Sequence, residues 1–382
     1  MYSRTINLLQ FHNSLFLFGP RQVGKTFLIN NTLSPDFFIN LLEQKVYLRY
    51  AKDVSLFSKE VRALNRKKCL IVIDEIQRCP ELLNEVQLLM GELPEAQFIL
   101  TGSSARKLKR AGVNMLGGRA YTVHLHPLTF QELGKNFSLD QILMYGSIPS
   151  VVLKKDVESK IRLLRSYIET YLKEEIQQEA LTRNIPAFAR FLELASFENG
   201  KILNFQAIAR EVGVNSKTIK EYFYILEDTL LGFLFSPYTK SHRKKLVLHP
   251  KFYFFDCGVT RALRGESSNE LIPKTAPYGE AFEHFVILET KRFLDYRERE
   301  AKIGFFRTAD GAEVDMILEK GHEIWAIEIK SSSNPSLSDL RGLRSFIRDH
   351  KYSRAICVCQ TPRIYSSEKI NFIPWKQFLS EI

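Results

Sequence analysis

The sequence predicts an α/β protein of more than one domain, and three observations carry that expectation. Over the N-terminal third, short apolar runs that stop at polar or glycine residues alternate with helix-like stretches. Beyond about Pro127 the chain becomes helical and rich in charge, and from about Tyr278 the order is helix, strand, strand hairpin, helix, strand. A length of 382 residues is also long for one hydrophobic core. The changes of character predict domains over 1–135, 136–250 and 251–382.

Each element has its own reason. Residues 14–18 form an apolar run halted by a glycine, and residues 25–33 continue as a helix. Two further runs, 69–73 and 97–101, end in polar residues and are separated by a helical stretch over 80–90. Strands alternating with helices predict a parallel sheet with helices on both faces. Residues 130–133, 141–145 and a long segment over 157–180 read as helices. Residues 208–215 and 216–226 form two short amphipathic helices around Gly213, the spacing of a helix-turn-helix. A basic loop, His242-Arg243-Lys244-Lys245, and a strand over 251–255 follow where a wing would lie. There is no internal repeat and no low-complexity tract.

With 45% apolar and 25% charged residues, the composition is that of an ordinary soluble globular protein and excludes the disordered and fibrous classes. A net charge of +11 points to an anionic partner (nucleic acid, nucleotide or acidic protein), or to a merely basic surface; charge alone does not choose. Cys69, Cys79, Cys257, Cys357 and Cys359 form no C-x-x-C pair, and most sit in strand-like runs. They read as reduced core residues in a reducing compartment. With no apolar leader and no run long enough to span a bilayer, the expectation is a cytoplasmic protein with no membrane partner.

The strongest chemical signal is Gly19-Pro20-Arg21-Gln22-Val23-Gly24-Lys25-Thr26, which satisfies G-x-x-x-x-G-K-[ST] between a strand and a helix. The glycines let the backbone curl so that its N–H groups face phosphates, and the helix N-terminus favours their negative charge. Lys25 would reach the β and γ phosphates of ATP, and Thr26 would offer its hydroxyl to Mg²⁺. An acidic strand end should complete such a site, and Asp74-Glu75 supplies it: Asp74 for Mg²⁺, Glu75 to orient and deprotonate the attacking water. Ser103, after the next strand, would sense the γ-phosphate. Arg119 has two readings, an arginine finger given to a neighbouring subunit or a plain surface arginine.

These residues resemble an AAA-type ATPase, through the P-loop, Asp74-Glu75-Ile76-Gln77, and Leu100-Thr101-Gly102-Ser103-Ser104 followed by Gly118-Arg119. More narrowly they resemble prokaryotic ATPases of that type fused to a C-terminal domain of unknown function. That likeness extends to Tyr145-Gly146-Ser147-Ile148-Pro149, Phe252-Tyr253-Phe254-Phe255-Asp256-Cys257-Gly258 and Ile327-Glu328-Ile329-Lys330-Ser331-Ser332. The resemblance implies a P-loop ATPase domain, a winged-helix-like middle and a restriction-endonuclease-like α/β C-terminal fold. A second-arginine sensor helix is not found, which leaves the oligomeric mechanism open.

Near the C-terminus, Val314-Asp315-Met316-Ile317-Leu318 and Ile324-Trp325-Ala326-Ile327-Glu328-Ile329-Lys330 read as two strands joined at Lys320-Gly321. The two-residue period sends Glu328 and Lys330 to one face, with Asp315 beside them. Two carboxylates and a lysine there would hold Mg²⁺ and activate a water; the same pattern also arises as a solvated face. It is similar to the PD-(D/E)XK nucleases, whose helical glutamate would be Glu283. Two functions stand: an ATP-driven, DNA-associated enzyme with a metal-dependent nuclease-like domain, or a nucleotide-dependent switch or scaffold whose C-terminal fold binds a partner without cleavage. A homo-oligomer or partner protein fits either.

Overall fold

Strands buried on both faces have no solvent side and so show no alternation; three of the five N-terminal strands behave this way, with residues 15–18, 71–74 and 98–102 wholly buried. The computed structural model describes residues 2–104, 108, 116–172, 184–239 and 249–382. They divide into two compact units, Met1–Glu132 with Leu226–Leu231, and Leu133–Ile225 with Gly232–Ile382.

In the first unit, β1 (Ser14–Phe18), β2 (Phe37–Asn40), β3 (Leu70–Asp74), β4 (Gln97–Gly102) and β5 (Ala120–His124) form a parallel sheet in the order β2-β3-β4-β1-β5. Helices α1 (Lys25–Thr32), α2 (Gln44–Lys52), α3 (Ser55–Ala63) and α4 (Leu82–Glu92) connect or flank them. Phe16, Phe18, Ile71, Ile73, Phe98 and Leu100 share one core with Phe57, Val61, Leu82 and Val86. The intervening Leu15, Leu17, Val72 and Ile99 are buried as well. The expected strands and the helices after the P-loop and over 80–90 are present; β2, short and half-buried, carries too weak a pattern to be read beforehand.

The second unit begins with α5 (Leu139–Tyr145) and α6 (Val157–Ser166), and continues through α7 (Ile185–Phe197), α8 (Phe205–Val212) and, as far as Ile225, α9 (Ser216–Asp228). The long helix expected over 157–180 is regular only to Ser166 and winds on as a wider π-type turn over Tyr167–Leu172; residues 173–183 lie outside the described residues. The two helices around the glycine turn are present. Gly213 ends α8 at φ 79°, and the Asn204 and Asn215 carboxamide oxygens accept from the Ala207 and Thr218 N–H groups at 3.0 and 2.7 Å. The basic loop 242–245 lies outside the described residues.

β6 (Gly232–Phe235) pairs antiparallel with β7 (Lys251–Phe254), followed by α10 (Cys257–Leu263) and the long α11 (Ala276–Tyr296). A six-stranded sheet then forms from β8 (Lys302–Arg307), β9 (Glu313–Lys320), β10 (Glu323–Ile329), β11 (Arg354–Cys359), β12 (Tyr365–Ser367) and β13 (Ile370–Pro374), ordered β12-β13-β11-β10-β9-β8. β9 and β10 make the expected hairpin, turning at Gly321 with φ 58°. α12 (Arg341–Asp349) buries Leu343 and Phe346 against Val314, Ile317, Ala326 and Phe372. β12, β13 and α13 (Trp375–Glu381) extend beyond the elements that patterning predicts.

All five cysteines are free and buried. No helix among the described residues is long and apolar enough to cross a membrane.

Candidate functional site

The loop between β1 and α1 curls because two residues take left-handed backbone angles, Gln22 at φ 61° and Gly24 at φ 95°. Gly19 is required for a different reason: a Cβ there would run into the Leu125 carbonyl. Gly24 caps α1 without a side-chain bond of its own. Lys25, 5% exposed, donates from Nζ to the Gly19 and Pro20 carbonyls at 2.8 and 3.1 Å and lies 4.0 Å from Glu75 Oε1.

Thr26 Oγ1 donates to Asp74 Oδ2 at 2.7 Å, although 48 residues separate them in the chain. The strand order accounts for this. β4 lies between β3 and β1, and Thr101 at its end donates its hydroxyl to Asp74 Oδ1 while accepting from the Glu75 N–H at 3.1 Å. Glu75 sits at φ 61°, a conformation that costs a non-glycine residue about 1 kcal/mol. Its Oε2 accepts from Gln77 Nε2 at 2.5 Å, and the same amide donates to Ser103 Oγ at 3.0 Å. Lys25, Thr26, Asp74, Glu75 and Ser103 are therefore brought together at the C-terminal ends of three neighbouring strands. Thr101 and Gln77, which bind these groups directly, were missed as site residues; the hydroxyl closing β4 was the available signal.

Arg4 was missed as well. It is 7% exposed in its side chain and pairs through Nε with Glu132 Oε1 at 3.0 Å. Its other nitrogens donate to the Val23 carbonyl at 2.8 Å and the His126 carbonyl at 2.5 Å, so it braces the P-loop from behind. Arg119 is exposed and far from its own P-loop. It precedes Ala120, which is level with Ser14, whereas the P-loop leaves β1 after Phe18. At ~3.3 Å per strand residue, the offset is about 13 Å.

In the second unit, Asp315, Glu328, Lys330 and Glu283 also draw together. Ile329 donates its N–H to Asp315 Oδ2 at 2.8 Å, and Lys330 Nζ lies 2.8 Å from Glu328 Oε1. Glu328 Oε2 is buried with no hydrogen-bond partner. Glu283 accepts from the Tyr253 hydroxyl at 2.6 Å. A second lysine enters that the sequence did not suggest: Lys251, 3% exposed, with Nζ 2.6 Å from Glu313 Oε1 and 3.6 Å from Glu283 Oε1. The signal for it was one charged residue opening an otherwise apolar, aromatic strand. Burial, and then the neighbouring carboxylates, lift the Asp315 and Glu328 carboxyls above the usual range; the two lysines act against this at Asp315, and Lys330 at Glu328. Burial works against the charge on Lys251, yet Glu283, Asp315 and Glu313 outweigh it and raise its pKa.

The two sites fit a divalent ion differently. Thr26 and Asp74 present a hydroxyl and a carboxylate side by side, the oxygen donors that Mg²⁺ takes beside nucleotide phosphates. In the C-terminal cluster each carboxylate already has a protein donor, and among the described residues no three His, Cys, Asp or Glu side chains converge as an ion site. That donor set does not fit a metal as it stands.

The AAA domain family matches residues 12–134, and two domains of unknown function (DUF8612 and DUF4143) match residues 136–270 and 278–378. The uncharacterized protein Rv2008c of Mycobacterium tuberculosis is 26% identical over 368 residues, covering 96% of this chain and 81% of its own. An uncharacterized protein of Haemophilus influenzae is 23% identical over 74% of this chain and 71% of its own. A solved DNA polymerase III, gamma subunit-related protein of Thermotoga maritima covers 58% of this chain and 96% of its own at 13% identity. Its TM-score of 0.21 is too low to bear on fold or function. Residues 12–134 are thus similar to an AAA domain, and the strand-end geometry is that of a P-loop fold within a mixed α/β protein.

Proposed function

We propose that this protein binds ATP with Mg²⁺ and hydrolyses it at the P-loop. The observation that carries the reading is the Thr26–Asp74 contact of 2.7 Å, which joins the helix after the P-loop to the acidic end of β3. The backbone of Gly19–Gly24 would cradle the phosphates, Lys25 would bind the β and γ phosphates, and Thr26 and Asp74 would hold the ion. Thr26 and Asp74 would thereby place an ion that would supply charge neutralisation for the transferred phosphoryl group. Glu75 would take the proton of the attacking water, and Ser103, linked to Glu75 through Gln77, would register the γ-phosphate. Purified protein should retain labelled ATP, and Lys25→Ala should weaken retention roughly tenfold to a hundredfold, the worth of a charge-assisted hydrogen bond. Equal retention by both chains would end the reading.

The protein is proposed to act on DNA in the cytoplasm, with functional modules over 1–135, 136–250 and 251–382. Support comes from the net charge of +11 and from the helix pair α8–α9 around Gly213, with Lys217 and Lys220 on the exposed start of the second helix. Affinity for duplex DNA should fall steeply with salt; binding that is absent or indifferent to salt would remove DNA from the account. In this reading Asp315, Glu328 and Lys330 form a nuclease-like site. A second reading, a nucleotide-dependent switch whose C-terminal fold binds a partner without cleavage, is favoured by one observation: the acidic cluster already has two lysines in it. Cleavage assays with Mg²⁺ or Mn²⁺, on the wild type and on Asp315→Asn, separate the two.

A further inference from the structure

We propose that Lys251 is the resident cation of the C-terminal carboxylate cluster. Its ammonium takes, between α11 and β9, the charge-balancing place that a divalent ion would otherwise fill, so the cluster assembles without metal. The inference concerns the nuclease-like reading and is independent of the ATPase reading.

The geometry is specific. Lys251 opens β7 and is almost wholly buried, with Nζ in contact with Glu313 on one side and Glu283 on the other. The Phe305 ring, 5.4 Å from Nζ to its centroid, offers a further favourable surface to the cation. Tyr253, two residues on and so on the same face of the strand, donates to the same Glu283 oxygen. β7 therefore delivers one positive charge and one hydroxyl to the glutamate on α11, and Glu313 is held from its other oxygen by Arg307 at 3.1 Å. Lys330 pairs with Glu328 at 2.8 Å. A buried ammonium keeps its charge only where carboxylates compensate for lost water, and buried carboxylates group only where a cation does the same. Each set here supplies what the other needs.

The experiment uses the full chain carrying Asp74→Asn, so that the P-loop aspartate contributes no metal binding, and compares it with the same chain bearing Lys251→Met. Mn²⁺ binding is read by electron paramagnetic resonance, and thermal unfolding is followed in EDTA and in Mn²⁺. With Lys251 present, the expected result is an unfolding midpoint that Mn²⁺ does not move and no binding that Asp315→Asn abolishes. With Lys251→Met, Glu283 and Glu313 lose their cation. The midpoint should fall by several degrees in EDTA and recover partly in Mn²⁺, with affinity for the ion raised roughly tenfold or more. Lys251→Arg, which keeps the charge, should stay indifferent to metal. Mn²⁺ bound at an Asp315-dependent site while Lys251 is present would overturn the proposal, as would a Lys251→Met chain that is as stable as its parent and gains no response. Should Lys251→Met fail to fold, the parent's Mn²⁺ titration and the arginine variant still decide it. ATP retention by the wild type is unaffected by either result, so the two readings fail separately.

Discussion

Gly146 and Asp256, 110 positions apart, are in such close contact that a Cβ on the glycine would fall inside the aspartate's carboxylate. Gly146 holds φ 72°, where other residues are strained, and the Ser147 N–H that follows donates to Asp256 Oδ2 at 2.7 Å. Asp256 also caps α10 through the Val259 N–H at 3.1 Å, and a Cβ on Gly258 would meet the Tyr145 carbonyl. The two glycine-bearing segments are thus one interlocked joint, fixed further by Arg292, which reaches the Ser147 hydroxyl and the Phe255 carbonyl. Gly146→Ala should destabilise the protein by on the order of 3 kcal/mol, combining backbone strain with overpacking. Denaturant titration measures this, and an unchanged midpoint would show that the joint is looser than its geometry.

Glu75→Gln should separate binding from turnover. The amide keeps the shape of the side chain but accepts a proton poorly, so nucleotide retention should survive while ATP hydrolysis drops roughly a hundredfold or more. Gln77→Ala should lower turnover by less, because it removes the link from Glu75 to Ser103 and leaves both groups present. Steady-state phosphate release on the two variants checks the order.

Arg4→Lys should weaken ATP binding without unfolding the chain. A lysine can preserve charge opposite Glu132 but cannot reach the Val23 and His126 carbonyls together as the guanidinium does. Arg4→Met removes the charge as well and should lower stability by about 3 kcal/mol, since Glu132 would be left buried beside no cation. Nucleotide titration paired with thermal unfolding distinguishes a loosened loop from a loosened fold.

Arg119 lies just before β5, at the end of that strand away from the P-loop, so the part it has in turnover is expected to come through another copy of the chain. Mixing Arg119→Ala with Lys25→Ala chains should restore part of the activity lost in each alone. A mixture no more active than the separate chains would make Arg119 an ordinary surface residue.

His284 sets an acid limit on stability. Burial pushes its pKa down from 6.5 to about 3, and Nε2 lies 2.7 Å from the Phe254 carbonyl, a bond that the neutral ring makes as donor. The unfolded chain therefore takes up a proton below about pH 6.5 that the folded chain refuses. The contribution is fully present above that pH and declines steadily as pH falls toward 3. His284→Gln should flatten this slope in denaturation series between pH 7 and 4; an identical slope would place the acid sensitivity elsewhere.

The local chemistry of the nucleotide site was legible in the sequence because it is written in adjacent residues. A glycine loop between a strand and a helix, and an acidic pair after four apolar residues, each announce themselves without reference to the rest of the chain. The parallel sheet, the helix pair around Gly213 and the β9–β10 hairpin follow from local periodicity in the same way. The order in which strands lie side by side was not legible. Periodicity states that a segment is a strand and says nothing of its neighbour, so only the sheet revealed that β4 separates β1 from β3 and puts Thr101 against Asp74. The same limit hid Arg4 and Lys251. Each acts through at least one partner more than thirty positions away, and a buried charge has no sequence signature apart from the fold that buries it.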